Sequence, residues 1–158
     1  MRCPDLAPRR RPSHLLLALL TLTALSCRNQ SADIAAPVYG VATCATCRNV
    51  IADAHFAAQL RLPDGTVQSF DDPACLFETL RGGGAAPTLI RFHAHDADAW
   101  IDGPTAWFAR TPASAAHGSG WAAYPSFAAA QDAVTAAGSG EILSFEQARS
   151  TVRRSATP

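Results

Sequence analysis

The sequence predicts an α+β fold in which two small β-β-α units stand in tandem after an N-terminal signal segment. Short alternating apolar and polar runs, typical of strands, precede two segments that carry helix-start and helix-stop residues. The order of strand, cap, helix and glycine in 67–84 recurs in 121–140, which indicates an internal duplication. The length of 158 residues and the formal net charge of zero suit one compact domain or two very small ones. The sequence contains no basic patch of the kind that binds nucleic acid.

Residues 1–26 have the pattern of a lipoprotein signal peptide. A basic run at 9–11 precedes LLLALLTLTAL, an apolar stretch of signal-peptide length that is short for a bilayer span. The stretch ends in ALSC, which resembles a bacterial lipobox, although Ala24 occupies the place where leucine is commonest. We therefore expect acylation of Cys27 and an extracytoplasmic protein that is lipid-anchored to the bacterial cell membrane. The residues after Cys27 are compatible with an anchor in the outer membrane. An ordinary secretory signal or an uncleaved anchor is the alternative.

The rest of the chain is predicted to divide into a tether, one domain and a tail. Residues 27–37 are small, polar and weakly patterned, as expected of a tether. The patterned segment 38–150 is the predicted domain, and 151–158 is predicted to be a disordered C-terminal tail.

The first unit is predicted to be a hairpin followed by a helix. HFAAQLRL and TVQSF flank the turn signal Pro-Asp-Gly. Asp71 or Asp72 caps the following helix, Pro73 suits its first turn, and the glycines of 82–84 end it. We interpret the two aspartates as helix-start residues and not as catalytic acids. Alternation along HFAAQLRL places His55 on a polar strand face.

The second unit repeats this logic. TLIRFHAH predicts a strand, AWIDGPTAWFAR two aromatic runs around a turn, and GWAAYPS a further strand. A helix runs from a cap at Ser126 to a stop at Gly138, and a strand in EILSF and a short helix close the domain. As strand residues, His93 and His95 share one face. Their spacing suits a metal, although a solvated face is the commoner explanation.

The number and spacing of the cysteines limit the possible roles of the C-x-x-C pair to three but do not choose among them. Once Cys3 is removed with the signal peptide and Cys27 is acylated, Cys44, Cys47 and Cys75 remain. An odd count in an oxidising compartment leaves at least one thiol without an intramolecular partner. The C-x-x-C pair is compatible with a structural disulfide, thiol redox chemistry or metal binding. A reactive C-x-x-C usually begins a helix, whereas this one leads into a predicted strand. No catalytic motif is present, so we expect no enzyme.

The order of these motifs resembles the NosL-type copper-binding lipoproteins. CATCRNVIADAHFAAQLRLPDGTVQSFDDPACLFETL is similar to the family's C-x-x-C-G-M segment, alternating strand, turn, FDD-like helix start and helical cysteine. AWIDGPTAWFAR, HGSGWAAYPSFAAAQDAV and GEILSF resemble its later elements. The resemblance covers 38–149 and implies a NosL-like metal-binding domain. It implies a Cu(I) chaperone for assembly of a periplasmic cuproenzyme such as nitrous-oxide reductase.

The chain departs from the family pattern where the metal should bind. Arg48 and Asn49 replace Gly-Met, His117 replaces the methionine before Gly-Ser-Gly, and the only methionine is the initiator. Cu(I) favours thiolate and thioether ligands, and every thioether has been lost. The resemblance therefore implies Cys44 and Cys47 as main ligands, with His117 as the third.

The remaining donors leave the metal and the function open at this stage. Thiolate and imidazole also suit Zn(II), which is the alternative to Cu(I). The implied partners are a copper ion, the lipid bilayer through acylated Cys27, and a cuproenzyme or its assembly factors. The alternative functions are a zinc-binding or structural-disulfide lipoprotein with an interaction role, or a thiol oxidoreductase.

Overall fold

A computed structural model describes residues 34–112, 114 and 119–151. In this part of the chain it confirms the α+β class. The strands and helices are β1 (Ala58–Arg61), β2 (Val67–Phe70), α1 (Pro73–Arg81), β3 (Leu89–His93), β4 (Trp100–Asp102), β5 (Trp107–Arg110), β6 (Trp121–Tyr124), α2 (Phe127–Ala137), β7 (Glu141–Ser144) and α3 (Phe145–Thr151). No helix among these residues is long and apolar enough to cross a membrane. The signal segment, Cys27 and His117 lie outside the described residues.

The strands form two antiparallel sheets that are built on the same plan. The first has the order β2-β1-β3-β4 and the second the order β6-β5-β7. In each unit a hairpin is followed by a helix, and the next strand pairs with the other edge of the first strand. The two predicted sheet-plus-helix units are therefore confirmed. Each unit therefore contains β-β-α-β, and β4 extends the first sheet beside β3. The prediction that β3 and β4 belong to the second unit is wrong, because β3 pairs with β1.

Local signals in the sequence determine where the two main helices begin. The Asp72 carboxylate accepts a hydrogen bond from the Ala74 N–H at 2.7 Å, and the Ser126 hydroxyl accepts one from the Ala129 N–H at 3.2 Å. Such caps satisfy backbone donors that have no partner inside the helix. Gly138 ends α2 with a φ of 74°, a left-handed conformation that glycine adopts without steric cost. The predicted caps at Asp72 and Ser126 are confirmed.

Helix α1 joins the two units through Phe77. This side chain is fully buried, and its ring centre lies 5.5 Å from that of Phe92 on β3 and 5.1 Å from that of Phe108 on β5. The Trp121 ring on β6 is 6.0 Å away. Both sheets therefore share one aromatic core, and α1, which carries Cys75, is fixed against both of them.

The predicted polar face of the first strand is wrong. His55 lies in a 3-10 turn, Ala54–Phe56, that Asp53 caps, and β1 begins three residues later. β1 is an inner strand, and its side chains from Ala58 to Leu60 are buried. Even Gln59 is buried, because its side-chain amide donates to the backbone carbonyl of Ala35, in the segment before the first strand.

The solvated face proposed for His93 and His95 is also wrong. His93 ends β3 and is 4% exposed. His95 lies beyond the strand, and its N–H donates to the carbonyl of Ala123 on β6 at 2.8 Å. His95 is half-buried because the segment that follows β3 packs against β6 of the second sheet.

Candidate metal centre

Cys44 and Cys47 lie at the tip of a short hairpin that precedes β1. Thr43 and Val50 form an antiparallel bridge, and the Cys44 N–H donates to the Asn49 carbonyl at 2.8 Å. The tip is a turn and not a helix N-terminus, which is unlike the usual setting of a redox C-x-x-C.

The hairpin tip is attached to the first sheet and to helix α1. The Ala45 N–H donates to the Ser69 carbonyl of β2 at 2.9 Å. The Thr46 hydroxyl donates to the Cys75 carbonyl at 2.9 Å and also contacts the Thr79 hydroxyl. These bonds place the two hairpin cysteines beside the end of β2 and the first turn of α1.

Four side chains converge at this junction. The sulfurs of Cys44, Cys47 and Cys75 and a carboxylate oxygen of Asp71 all lie within 4.8 Å of one another. Cys44 and Asp71 are buried, Cys75 is half-buried and Cys47 is exposed. All three cysteines are free thiols. The cluster therefore offers three soft donors and one hard donor, with one sulfur open to solvent.

One thiol of the cluster is poised as a thiolate. The Cys75 S–H donates to the Cys44 sulfur, which lowers the pKa of Cys44 to about 6, although burial of Cys44 opposes the shift. The same interaction and burial raise the pKa of Cys75. At neutral pH the pair therefore holds one negative charge on Cys44 and one proton on Cys75.

Cys47 is held in its protonated form. Partial desolvation of its sulfur raises the pKa of Cys47 to about 11, and the hydrogen bond to Asp71 adds to the effect. The Cys47 sulfur lies 3.2 and 3.4 Å from the two Asp71 carboxylate oxygens. Because a metal binds the thiolate, loading the site must release protons from Cys47 and Cys75.

Because the Cys75 S–H stabilises the Cys44 thiolate, we expect the metal-free protein to contain one acidic thiol. Thiolate absorbance in the ultraviolet should rise by one equivalent as the pH increases through about 6. Cys75→Ala removes the S–H donor, so the midpoint should move upward toward or beyond the ordinary value of 9.0. Cys47→Ala is the matched control and should leave an acidic step. An unchanged midpoint in Cys75→Ala would show that Cys75 does not stabilise the thiolate.

The sequence predicted only part of this cluster. Its motifs indicated Cys44 and Cys47 as a pair of ligands, left the role of Cys75 open and predicted Asp71 to be a helix-start residue. The helix cap is Asp72, whose carboxylate also accepts from the Ser119 hydroxyl, and Asp71 instead contacts Cys47. The sequence signal that could have identified Asp71 and Cys75 as ligands is their position at the junction between β2 and α1. His117 lies outside the described residues, so its ligand role stays a prediction.

The fold with its duplicated units and cysteine cluster can be placed among known proteins. The sequence matches no protein-family model and no curated protein. Among solved structures, it is similar to the copper chaperone NosL from Shewanella denitrificans, with a TM-score of 0.62 over 72% of this chain and 94% of that one. The identity is 18%, so the likeness establishes the fold. The chain has a NosL-like fold, as its sequence motifs predicted.

Proposed function

We propose that this protein is a non-enzymatic copper-binding protein that carries Cu(I). The observation that supports the proposal is the convergence of three cysteine sulfurs within 4.8 Å. Thiolates are the ligands that select a soft ion such as Cu(I). The NosL-like fold adds support, because the similar solved structure is that of a copper chaperone.

In this proposal Cys44, Cys47 and Cys75 are the sulfur ligands. Cys44 is the first donor because it is already deprotonated near neutral pH. Asp71 accepts the proton of Cys47 while the site is empty, and its hard oxygen is a poor ligand for Cu(I). His117, which the sequence resemblance implies as the third ligand, is the alternative to Cys75.

The exposure of Cys47 suits a chaperone. A donor or recipient thiolate can reach the ion on that side, while Cys44 stays buried on the other side. Metal can then pass between proteins by ligand exchange without entering solution. From the sequence resemblance, we propose a periplasmic cuproenzyme such as nitrous-oxide reductase, or its assembly factors, as the recipient.

Zn(II) is the second candidate, and the carboxylate of Asp71 is the observation that favours it. Three sulfurs and one oxygen match the four donors of a tetrahedral zinc site. Anaerobic titration of the reduced protein with each ion distinguishes the two metals. We expect one equivalent of Cu(I), which displaces Zn(II) completely from the cysteine cluster. Zn(II) that stays on the cysteines in the presence of Cu(I) would identify the protein as a zinc protein.

We also propose that Cys27 carries a lipid that anchors the domain outside the cytoplasm. The LLLALLTLTALSC segment supports this proposal. Cys27→Ala should release the protein from the membrane fraction and change its electrophoretic mobility. Cys3→Ala is the matched control, because Cys3 lies in the predicted signal peptide and should be removed with it. A Cys27→Ala protein that stays in the membrane with unchanged mobility would contradict the anchor.

A further inference from the structure

A second group of metal-capable side chains consists of histidines. His55, His93 and His95 are all the histidines that the structure describes, and they lie together. The ring centre of His55 is 5.6 Å from that of His93 and 6.1 Å from that of His95. They come from two segments, the turn before β1 and the end of β3 with its following loop.

The two nitrogens of His93 both face hydrogen-bond acceptors. Nδ1 lies 3.0 Å from the carbonyl oxygen of Ala94, and Nε2 lies 3.2 Å from a carboxylate oxygen of Asp98. In the tautomer that donates from Nδ1 to the carbonyl, the Nε2 lone pair faces the carboxylate, and a metal ion can bind to both groups. A backbone carbonyl on the distal nitrogen is the arrangement that orients metal-binding imidazoles.

The third ring carries a nitrogen without a hydrogen-bond partner. His95 Nδ1 is buried and has no partner among the described residues. A buried polar atom without a partner is unfavourable.

We propose that His55, His93 and Asp98, with His95 beside them, form a second metal site for a divalent cation such as Zn(II) or Cu(II). Two imidazoles bound to one tetrahedral ion have ring centres about 5–6 Å apart, given metal–nitrogen bonds of about 2.0–2.1 Å. The two separations around His55 are close to this value. Imidazole and carboxylate donors suit divalent ions, whereas the cysteine cluster suits Cu(I).

A small rearrangement completes this site. Among the described residues, only the cysteine cluster brings at least three ligand atoms within 4.8 Å of one another. Both His55 and Asp98 are exposed, so their side chains can turn toward the buried His93 when an ion binds. β2 and β3 both run antiparallel to β1, so the start of β1 and the ends of β2 and β3 lie at the same end of the first sheet, and the histidines and the cysteine cluster are both found there.

The test uses the full chain with Cys44, Cys47 and Cys75 all replaced by serine, titrated with Zn(II) alone. We expect one equivalent to bind, and we expect added His55→Ala or Asp98→Asn to weaken binding at least tenfold. Asp64→Asn, an exposed aspartate in the β1–β2 turn, is the matched control and should have no effect. With Cu(II), the electron paramagnetic resonance spectrum should show imidazole nitrogen coupling that His55→Ala reduces.

The proposal is overturned if the serine variant folds but binds no Zn(II), or if His55→Ala leaves the affinity unchanged. Should the serine variant not fold, His55→Ala in the natural chain takes its place. His55 is exposed, so the substitution leaves the fold intact, and the variant should bind one equivalent of Zn(II) fewer than the natural chain. Equal stoichiometry would overturn the proposal. Failure of Cu(I) binding at the cysteines would not affect either result.

Discussion

Replacing both Cys44 and Cys47 by serine is expected to lower the affinity for Cu(I) at least about a hundredfold. Loss of a group that only supports a metal ligand already costs about 10–100-fold, and here two direct ligands are removed. Cys75 would be the only sulfur left in the cluster. The measurement is anaerobic competition between the protein and a Cu(I) chelator at fixed pH.

The matched control for this variant is Asn49→Ser. Asn49 is exposed and lies two residues from Cys47, and its hydrogen bonds to Cys44 and Cys47 are made by its backbone, which serine retains. Its affinity should equal that of the natural chain. If the double serine variant also keeps full affinity, the C-x-x-C does not bind copper, and the structural disulfide becomes the better explanation.

Phe77→Ala is expected to lower the free energy of unfolding by about 3–5 kcal/mol, the usual cost of removing a fully buried aromatic ring. The ring contacts Phe92 in the first unit and Phe108 in the second, so one substitution opens a cavity between the two units. Because α1 also carries Cys75, we expect Cu(I) affinity to fall together with stability. Urea unfolding followed by circular dichroism measures the change.

The control for Phe77 is Phe127→Ala at the start of α2. Phe127 is half exposed, and its ring packs against that of Trp107 near the surface. Its loss should cost below about 1 kcal/mol. Two separate unfolding transitions in the natural chain would contradict the shared core, and so would an equal cost for the two variants.

The sequence predicted those parts of the fold that local signals determine. Asp72, Ser126 and Gly138 act within one turn of their own position, so the helix boundaries followed from residue type and spacing. The duplication was visible for the same reason, because both units use the same order of local signals. β3 was assigned to the second unit, because its pairing with β1 of the first sheet is a long-range contact that no local pattern indicates.

The parts that sequence analysis missed depend on tertiary packing. His55 was predicted to lie on the polar face of a strand, because alternation cannot reveal that this residue belongs to a 3-10 turn before β1. Asp71 and Cys75 lie 24 and 28 positions from Cys47, and no local pattern indicates that the hairpin tip packs against the start of α1. The sequence therefore identified Cys44 and Cys47 as candidate ligands, but it could not show that Cys75 and Asp71 lie beside them.

The central claim is that sulfur from the cysteine cluster binds Cu(I). X-ray absorption of the complex between the reduced protein and one equivalent of Cu(I) tests this claim most directly. We predict three sulfur neighbours, and we predict that Cys75→Ala removes one of them. Two sulfurs and one nitrogen, with no change in Cys75→Ala, would favour His117 over Cys75 as the third ligand. A first shell of nitrogen and oxygen atoms without sulfur would contradict the account.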